Sequence, residues 1–278
     1  MNMASKVFNS DPWSFCPIFC PECTPAIDPV IKILPSFCFS ETGLRLRELD
    51  AVVFYDKPLV KFERLLTTFY QVAPKGLIPF LKSIPIWLKE KLFLRKLIFD
   101  NLKEIDLTLK KRELKLLFTE HHISHAASAF YPSNYNESAI LTIDGVGEWS
   151  TASICYGEDK TIKLLKELHF PHSVGLLYSA FTYFLGFKVN SGEYKLMGLA
   201  PYGIENSKET KDYIQKIKTE IVDIKADGSI FLNQKYFKYT YGLRMIKAKK
   251  FKDLLGLDIR KEGEDILQAH CNMALAIQ

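Results

Sequence analysis

Apolar and polar positions follow no sustained period at the start of the chain. Residues 1 to 32 carry prolines at 12, 17, 21, 25 and 29 and read as an irregular segment. LDAVVFYD, Leu49 to Asp56, is β-branched and aromatic and predicts a strand. Residues 59 to 115 follow a helical pattern that Pro74, Pro79 and Pro85 are expected to cut into pieces. KRELKLLFTEHHISHAASAFY then carries a short apolar run into a group of histidines, where Ala126, Ala127 and Ala129 favour helix. SAILTID, STASICY and TIKLLKELHF are three strand-like runs, with Gly145 and Gly147 in the first connection and Gly157 in the second. They predict a β-meander, a unit able to share a sheet with parallel strands.

VGLLYSAFTYFLGF, Val174 to Phe187, predicts an apolar helix after the loop FPHS. NSGEYKLMGLAPYG has too little periodicity to be a regular element. NSKETKDYIQKIKTEI reads as an amphipathic helix capped by Ser207, and VDIKADGSIFLN as a hairpin around Asp227-Gly228. GEDILQAHCNMALAIQ is a closing helix. No internal repeat is visible. The pattern is α/β, a mixed sheet with a β-meander and flanking helices.

Composition narrows the class. The chain has 278 residues, 47% apolar and 25% charged, the balance of a soluble globular protein. The formal net charge of +5 comes mainly from scattered lysines, with one denser patch, KAKKFK at Lys247 to Lys252. That patch reads as a solvated face, and without an aromatic-interleaved or helix-turn-helix pattern nucleic acid is not expected as a partner. No run of about 18 uncharged apolar residues exists, so no membrane span is expected. The nearest approach, Gly76 to Phe99, is interrupted by Lys82, Pro85, Lys89, Lys91, Arg95 and Lys96. A core-packed helix with snorkelling lysines is the preferred reading over a membrane-surface helix. The N-terminus has no secretory pattern. Cys20 and Cys23 form one C-x-x-C with Cys16 upstream, but no second close pair completes a zinc site. Reduced thiols in a cytoplasmic protein are the expectation.

The candidate chemistry lies in EHHISHAASAFYPS, residues 120 to 133, which places three of the chain's six histidines within five positions. His121 and His125 are one helical turn apart and project from one face, so they can converge on one cation. His122 lies about 100° around the helix and points elsewhere, toward a supporting partner. Asp144 closes an apolar strand just before Gly145, at a strand end of the kind on which sites are built. Two imidazoles and a carboxylate suit iron, zinc or manganese with positions left open. A surface helix that merely contains an i,i+4 histidine pair remains the competing reading. A metalloprotease is excluded, because its glutamate would have to follow the first histidine and position 122 is histidine.

DGVGEWS reads either as a hairpin turn or as an anion cradle, in which Gly145, Val146 and Gly147 offer backbone N–H groups. Gly175 stands near a helix start, where free N–H groups attract anions. Lys195 lies among Gly192, Gly198 and Gly203 in a segment that lacks the Walker A spacing.

Taken together, HHISHAASAFYPS, AILTIDGVGEWSTASI, PHSVGLLYSAFTYFLGF and GEYKLMGLAPYG resemble the NodU/CmcH family of O-carbamoyltransferases, as does LDAVVFYDKPLVKFERLL. The resemblance runs from residue 33 to 278 and implies an actin-like ATPase (ASKHA) fold. It implies that His121, His125 and Asp144 are ligands of a divalent metal, iron in the first place. Asp144 and His125 would be catalytic, while Gly145, Val146, Gly147, Gly175 and Lys195 would face the carbamoyl-adenylate made from ATP and carbamoyl phosphate. The carbamoyl group would pass to a hydroxyl of a small-molecule or sugar acceptor.

Family members open with a His-Asp-Ser-Ala-Ala segment followed by a Glu-Arg-Phe motif, and residues 1 to 32 show neither. The second half of the actin-like domain, with a fourth ligand, and the adenylate-forming YrdC-like domain have no counterpart here. A fragment is therefore expected, with the missing domains on a separate chain. Two other readings stand beside this one: threonylcarbamoyl transfer to tRNA, and a non-catalytic metal- or nucleotide-binding remnant.

Overall fold

The computed structural model describes residues 36–88 and 93–278. Cys16, Cys20 and Cys23, the proline-rich segment at 1 to 32, and Lys89 and Lys91 lie outside the described residues. The architecture is mixed α/β. In chain order the elements are β1 (Val52–Phe54), α1 (Pro58–Val72), α2 (Leu77–Trp87), α3 (Leu94–Ile105), β2 (Leu116–Phe118) and α4 (His121–Phe130). The meander β3 (Glu137–Ile143), β4 (Ser150–Glu158) and β5 (Thr161–His169) comes next, followed by α5 (Val174–Phe184), α6 (Glu193–Leu199) and α7 (Lys208–Lys216). The chain continues through β6 (Val222–Ile224), β7 (Ile230–Leu232), α8 (Ala248–Leu255) and α9 (Gln268–Ile277).

The meander forms as predicted, in the order β3-β4-β5, with Leu141 opposite Ile154 and Ile143 opposite Ala152. It does not share its sheet with the parallel strands. Among the described residues β1 and β2 form a separate parallel pair, with Val52 opposite Leu116, and β6 and β7 form a third, antiparallel one. One face of the meander is covered by α4: Ala126 and Phe130 pack with Ile140 and Cys155 in a small apolar cluster. Gly157 makes that approach possible, since a Cβ there would come within 2.8 Å of the Phe130 ring. β4 turns Thr151, Ser153 and Cys155 inward, so this buried face is partly polar and needs partners.

The largest core surrounds α5, which is apolar on nearly all sides as a central helix must be. Phe181 and Phe184 each lie 5.6 Å from the Phe251 ring of α8. Leu65 of α1 joins this core, while Leu94, Ile98 and Leu102 of α3 form another with Leu46 and Leu116.

Three expectations are corrected. Pro79 and Pro85 do not cut the helical region, because α2 runs through both. Pro79 sits in the first turn, where its missing N–H has no intrahelical acceptor, and Pro85 costs one bond near the far end. The stretch from Gly76 to Phe99 is core-packed as expected, through Phe80 and Ile84 of α2 and through α3, but it holds two helices rather than one. α3 buries Leu94 and Ile98, whereas α2 exposes Leu77, Ile78 and Leu81. The segment NSGEYKLMGLAPYG contains a regular element, α6, whose Leu196 and Leu199 are buried. Its periodicity is short, and the helix is started by Glu193, whose carboxylate accepts from the Asn190 N–H at 2.8 Å and the Ser179 hydroxyl at 2.9 Å.

No helix among the described residues is long and apolar enough to cross a membrane. Cys38, Cys155 and Cys271 are free thiols, the last two buried.

Candidate metal centre

α4 starts where β2 ends. The Thr119 N–H donates to the Phe54 carbonyl at 3.0 Å, which carries the parallel pairing one residue further and sets the first turn of α4 beside residues 55 to 57. The Ser124 hydroxyl then donates to the Tyr55 carbonyl at 3.1 Å, and the Lys57 ammonium pairs with Glu120 at 2.7 Å. One turn along α4, the Nε2 atoms of His121 and His125 approach to 3.0 Å. Asp144 leaves β3 with its N–H still bonded to the Thr151 carbonyl at 2.9 Å. Its Oδ2 stands 3.0 Å from His121 Nε2, and its Oδ1 accepts the Gly145 N–H at 2.6 Å. One ligand atom from each of His121, His125 and Asp144 therefore lies within 4.8 Å of the others. His125 is exposed, so the group opens to solvent on that side.

The charges are strongly coupled. Burial works against a charged His121, but the carboxylates of Asp144 and Asp56 outweigh it and raise its pKa to about 9. Burial also opposes a charged Asp144; the bond to His121 overrides that and lowers it to about 2. His125 is pushed down by burial and by the neighbouring His121 charge, so it presents a neutral lone pair. Such a convergence of nitrogen and carboxylate donors, with one donor wet, fits a divalent cation.

His122 turns away, as predicted. It is buried, and its Nδ1 is 2.7 Å from the Thr142 hydroxyl and 3.3 Å from that of Ser153, which bond to each other at 2.6 Å. This network supplies partners for the polar inner face of the meander.

The loop after Asp144 is tightly built. Gly147 donates its N–H to the Ser150 carbonyl at 3.0 Å and Gly145 donates to Asp144, so both groups are engaged within the turn. Val146 packs against the main core. A Cβ on Gly147 would stand 2.8 Å from His121 Cδ2, and one on Gly175 would stand 2.5 Å from the Asp144 carbonyl oxygen. Ser173 caps α5 by accepting from the Leu176 N–H at 3.0 Å and donates to the Gly145 carbonyl at 2.6 Å, tying helix start to loop. Lys195 is exposed on α6, and no hydrogen bond or ion pair joins it to the histidine–aspartate group.

Four residues that the sequence reading did not single out belong to the surroundings. Asp56, buried, places Oδ1 at 3.4 Å from His121 Nδ1, and its Oδ2 pairs with Lys61. Arg64, also buried, donates through Nη1 to the Gly147 carbonyl at 2.8 Å and to that of Glu148. Glu148 accepts the Lys57 N–H at 2.6 Å. The signal was faint: the polar residues in YDKPLVKFER recur at helical spacing, but nothing local says what they face.

This mixed α/β chain belongs to the carbamoyltransferase N-terminus family. Residues 29–277 match the family model described as carbamoyltransferase N-terminus. The chain is 50% identical over 243 residues to the uncharacterized protein sll1178 of Synechocystis sp., which covers 87% of this chain and 38% of that protein. It is 34% identical over 171 residues to the nodulation protein NolNO of Sinorhizobium fredii, 60% of this chain and 22% of that one. The nodulation protein NolO of Bradyrhizobium diazoefficiens is 39% identical over 83 residues, 30% of this chain and 15% of NolO. The chain thus spans at most 38% of the length of these relatives.

Proposed function

We propose that this chain forms part of an O-carbamoyltransferase in which His121, His125 and Asp144 hold a divalent metal, iron in the first place. The observation that carries the reading is the convergence of their ligand atoms within 4.8 Å in a chain of this family. The fold is read as the first portion of an actin-like domain. The carbamoyl donor is carbamoyl-adenylate, made from ATP and carbamoyl phosphate. The acceptor is a small-molecule or sugar hydroxyl.

A bound divalent ion would supply Lewis-acid polarisation of the carbamoyl oxygen or orientation of the acceptor. This chain's residues do the positioning. Asp144 and His125 stand nearest the transferred group, with His125 contributing its neutral lone pair at the wet side. The acceptor oxygen forms the new bond to the carbamoyl carbon as the bond from that carbon to the AMP phosphate oxygen breaks; AMP leaves with that electron pair, and the hydroxyl proton passes to solvent. Gly145, Val146, Gly147 and Gly175 keep the turn close to His121 and α5, which holds Asp144 in place beside the adenylate. Lys195, exposed on α6, would contact the donor from outside this group.

Metal analysis of the purified 278-residue chain tests the site. Wild type is expected to carry or take up about one equivalent of divalent metal, and His125→Ala and Asp144→Asn to lose most of it. Equal metal content in all three proteins would remove the site.

A further inference from the structure

The geometry points to Asp56 as the positioning residue that fixes the ring orientation and proton of His121 for divalent-cation binding, with Lys61 as its counter-charge. This inference rests on the metal reading above.

The His121 imidazole is held on three edges. Nε2 faces Asp144 and His125, each at 3.0 Å. The Cδ2 edge lies against Gly147, where even a Cβ would not fit. Nδ1 is buried and has no hydrogen-bond partner in line; the polar atom opposite it is Asp56 Oδ1 at 3.4 Å, itself buried and without another partner. The two oxygens of Asp56 are thus divided, Oδ2 to Lys61 and Oδ1 to His121.

A cation can be held at Nε2 only if that nitrogen carries a lone pair, so the remaining ring proton must sit on Nδ1. A carboxylate behind Nδ1 stabilises that tautomer and makes Nε2 the stronger ligand. Asp56 is suited to this work because its own position is fixed from both sides. Tyr55 before it accepts from Ser124 of the histidine helix, and Lys57 after it donates to Glu148 and pairs with Glu120. Lys61, one turn into α1, offsets the cost of a carboxylate that is only 8% exposed.

Co2+ titration of the whole chain, followed by its visible absorption, tests the assignment. Asp56→Asn keeps shape but loses the charge, and is expected to weaken Co2+ binding about 10- to 100-fold relative to wild type. Lys61→Met leaves the carboxylate but removes its counter-charge, and is expected to weaken Co2+ binding less than Asp56→Asn does. Circular dichroism confirms that the variants are folded. Unchanged affinity in Asp56→Asn overturns the assignment. Equal weakening in both variants also overturns it, because Asp56 would then matter only as the partner of Lys61. Failure of wild type to bind Co2+ overturns the metal reading and this inference with it, which separates the two failures. Should Asp56→Asn not fold, long-range 1H–15N correlation spectra of the Zn2+-loaded wild type decide the question. A proton on His121 Nδ1 with a metal-shifted Nε2 supports the assignment, and metal on Nδ1 overturns it.

Discussion

Gly175 lies so close to Asp144 that an ideal Cβ on it would stand 2.5 Å from the Asp144 carbonyl oxygen and 2.8 Å from Gly145 Cα. The first turn of α5 and the loop carrying the candidate metal ligand are therefore packed backbone against backbone. Neither partner is a flexible side chain that could step aside, so a methyl group must push the loop or the helix. Gly175→Ala is expected to cost about 1–3 kcal/mol of stability and to weaken metal uptake. Gly145→Ala serves as the control, because its Cβ would meet nothing within 4 Å. Its effect on stability is expected to stay within about 0.5 kcal/mol. Urea unfolding of the two variants checks the contrast.

Arg64 holds the same loop from the opposite side. It is 4% exposed, spans the Gly147 and Glu148 carbonyls and lies 5.6 Å above the Phe170 ring. Burial lowers its pKa to about 10, against the pull of Asp56, Asp144 and Glu148, so it stays charged at neutral pH. Arg64→Met would leave the Gly147 and Glu148 carbonyls without their donor and remove a nearby positive charge from Asp56, Asp144 and Glu148. A loss of about 3–5 kcal/mol is expected, as for removing one member of a buried charge group. Arg64→Lys should recover only part of it, since an ammonium cannot reproduce the planar guanidinium. Thermal denaturation of both variants is the measurement.

The coupled pair of His121 and Asp144 gives the metal-free chain a defined pH profile. His121 is raised from 6.5 to about 9, so its contribution is fully present below about pH 6.5 and lost as pH climbs through 9. Asp144 is lowered from 3.8 to about 2, so its contribution is present above pH 3.8 and lost as pH falls through 2. Urea midpoints of the metal-free chain should fall between about pH 6.5 and 9, and Asp144→Asn should flatten that fall.

Cation binding at His121 must displace the proton that Asp144 stabilises. Affinity is therefore expected to rise with pH up to about 9, with about one proton released at neutral pH. Calorimetry in buffers of different ionisation enthalpy counts that proton. A metal uptake independent of pH would contradict the arrangement.

His125 differs from His121 in exposure, and its removal should separate binding from folding. It is exposed, and among the described residues its side chain has one hydrogen-bonding contact, to His121. His125→Ala is expected to change stability by no more than about 0.5 kcal/mol while abolishing most cation binding. Equilibrium dialysis with parallel unfolding curves distinguishes the two effects.

Much of the candidate site's geometry was legible because its central pair is local. An i,i+4 spacing brings His121 and His125 together in any regular helix, and an apolar run ending in Asp144 fixes where that carboxylate leaves the sheet. The three strands of the meander and the Ser207 cap of α7 followed from equally short-range patterns. The helix α6 was missed because its periodicity is only two turns long and Glu193 starts it through contacts with Asn190 and Ser179. The continuous α2 was missed because proline at the first turn is compatible with helix although it reads as punctuation.

The sequence by itself determined the elements and the convergence of two imidazoles, because helix and strand periodicity act over a few residues. Only the tertiary structure decided what stands behind them. Asp56, Lys61, Arg64 and Glu148 reach the site from the connection between β1 and α1, from α1 and from the turn between β3 and β4, through contacts between segments far apart in the chain. Packing likewise assigned the glycines, with Gly147 set against His121 and Gly175 against Asp144. A side chain's reach is local, but its neighbours are chosen by which surfaces the whole chain buries together.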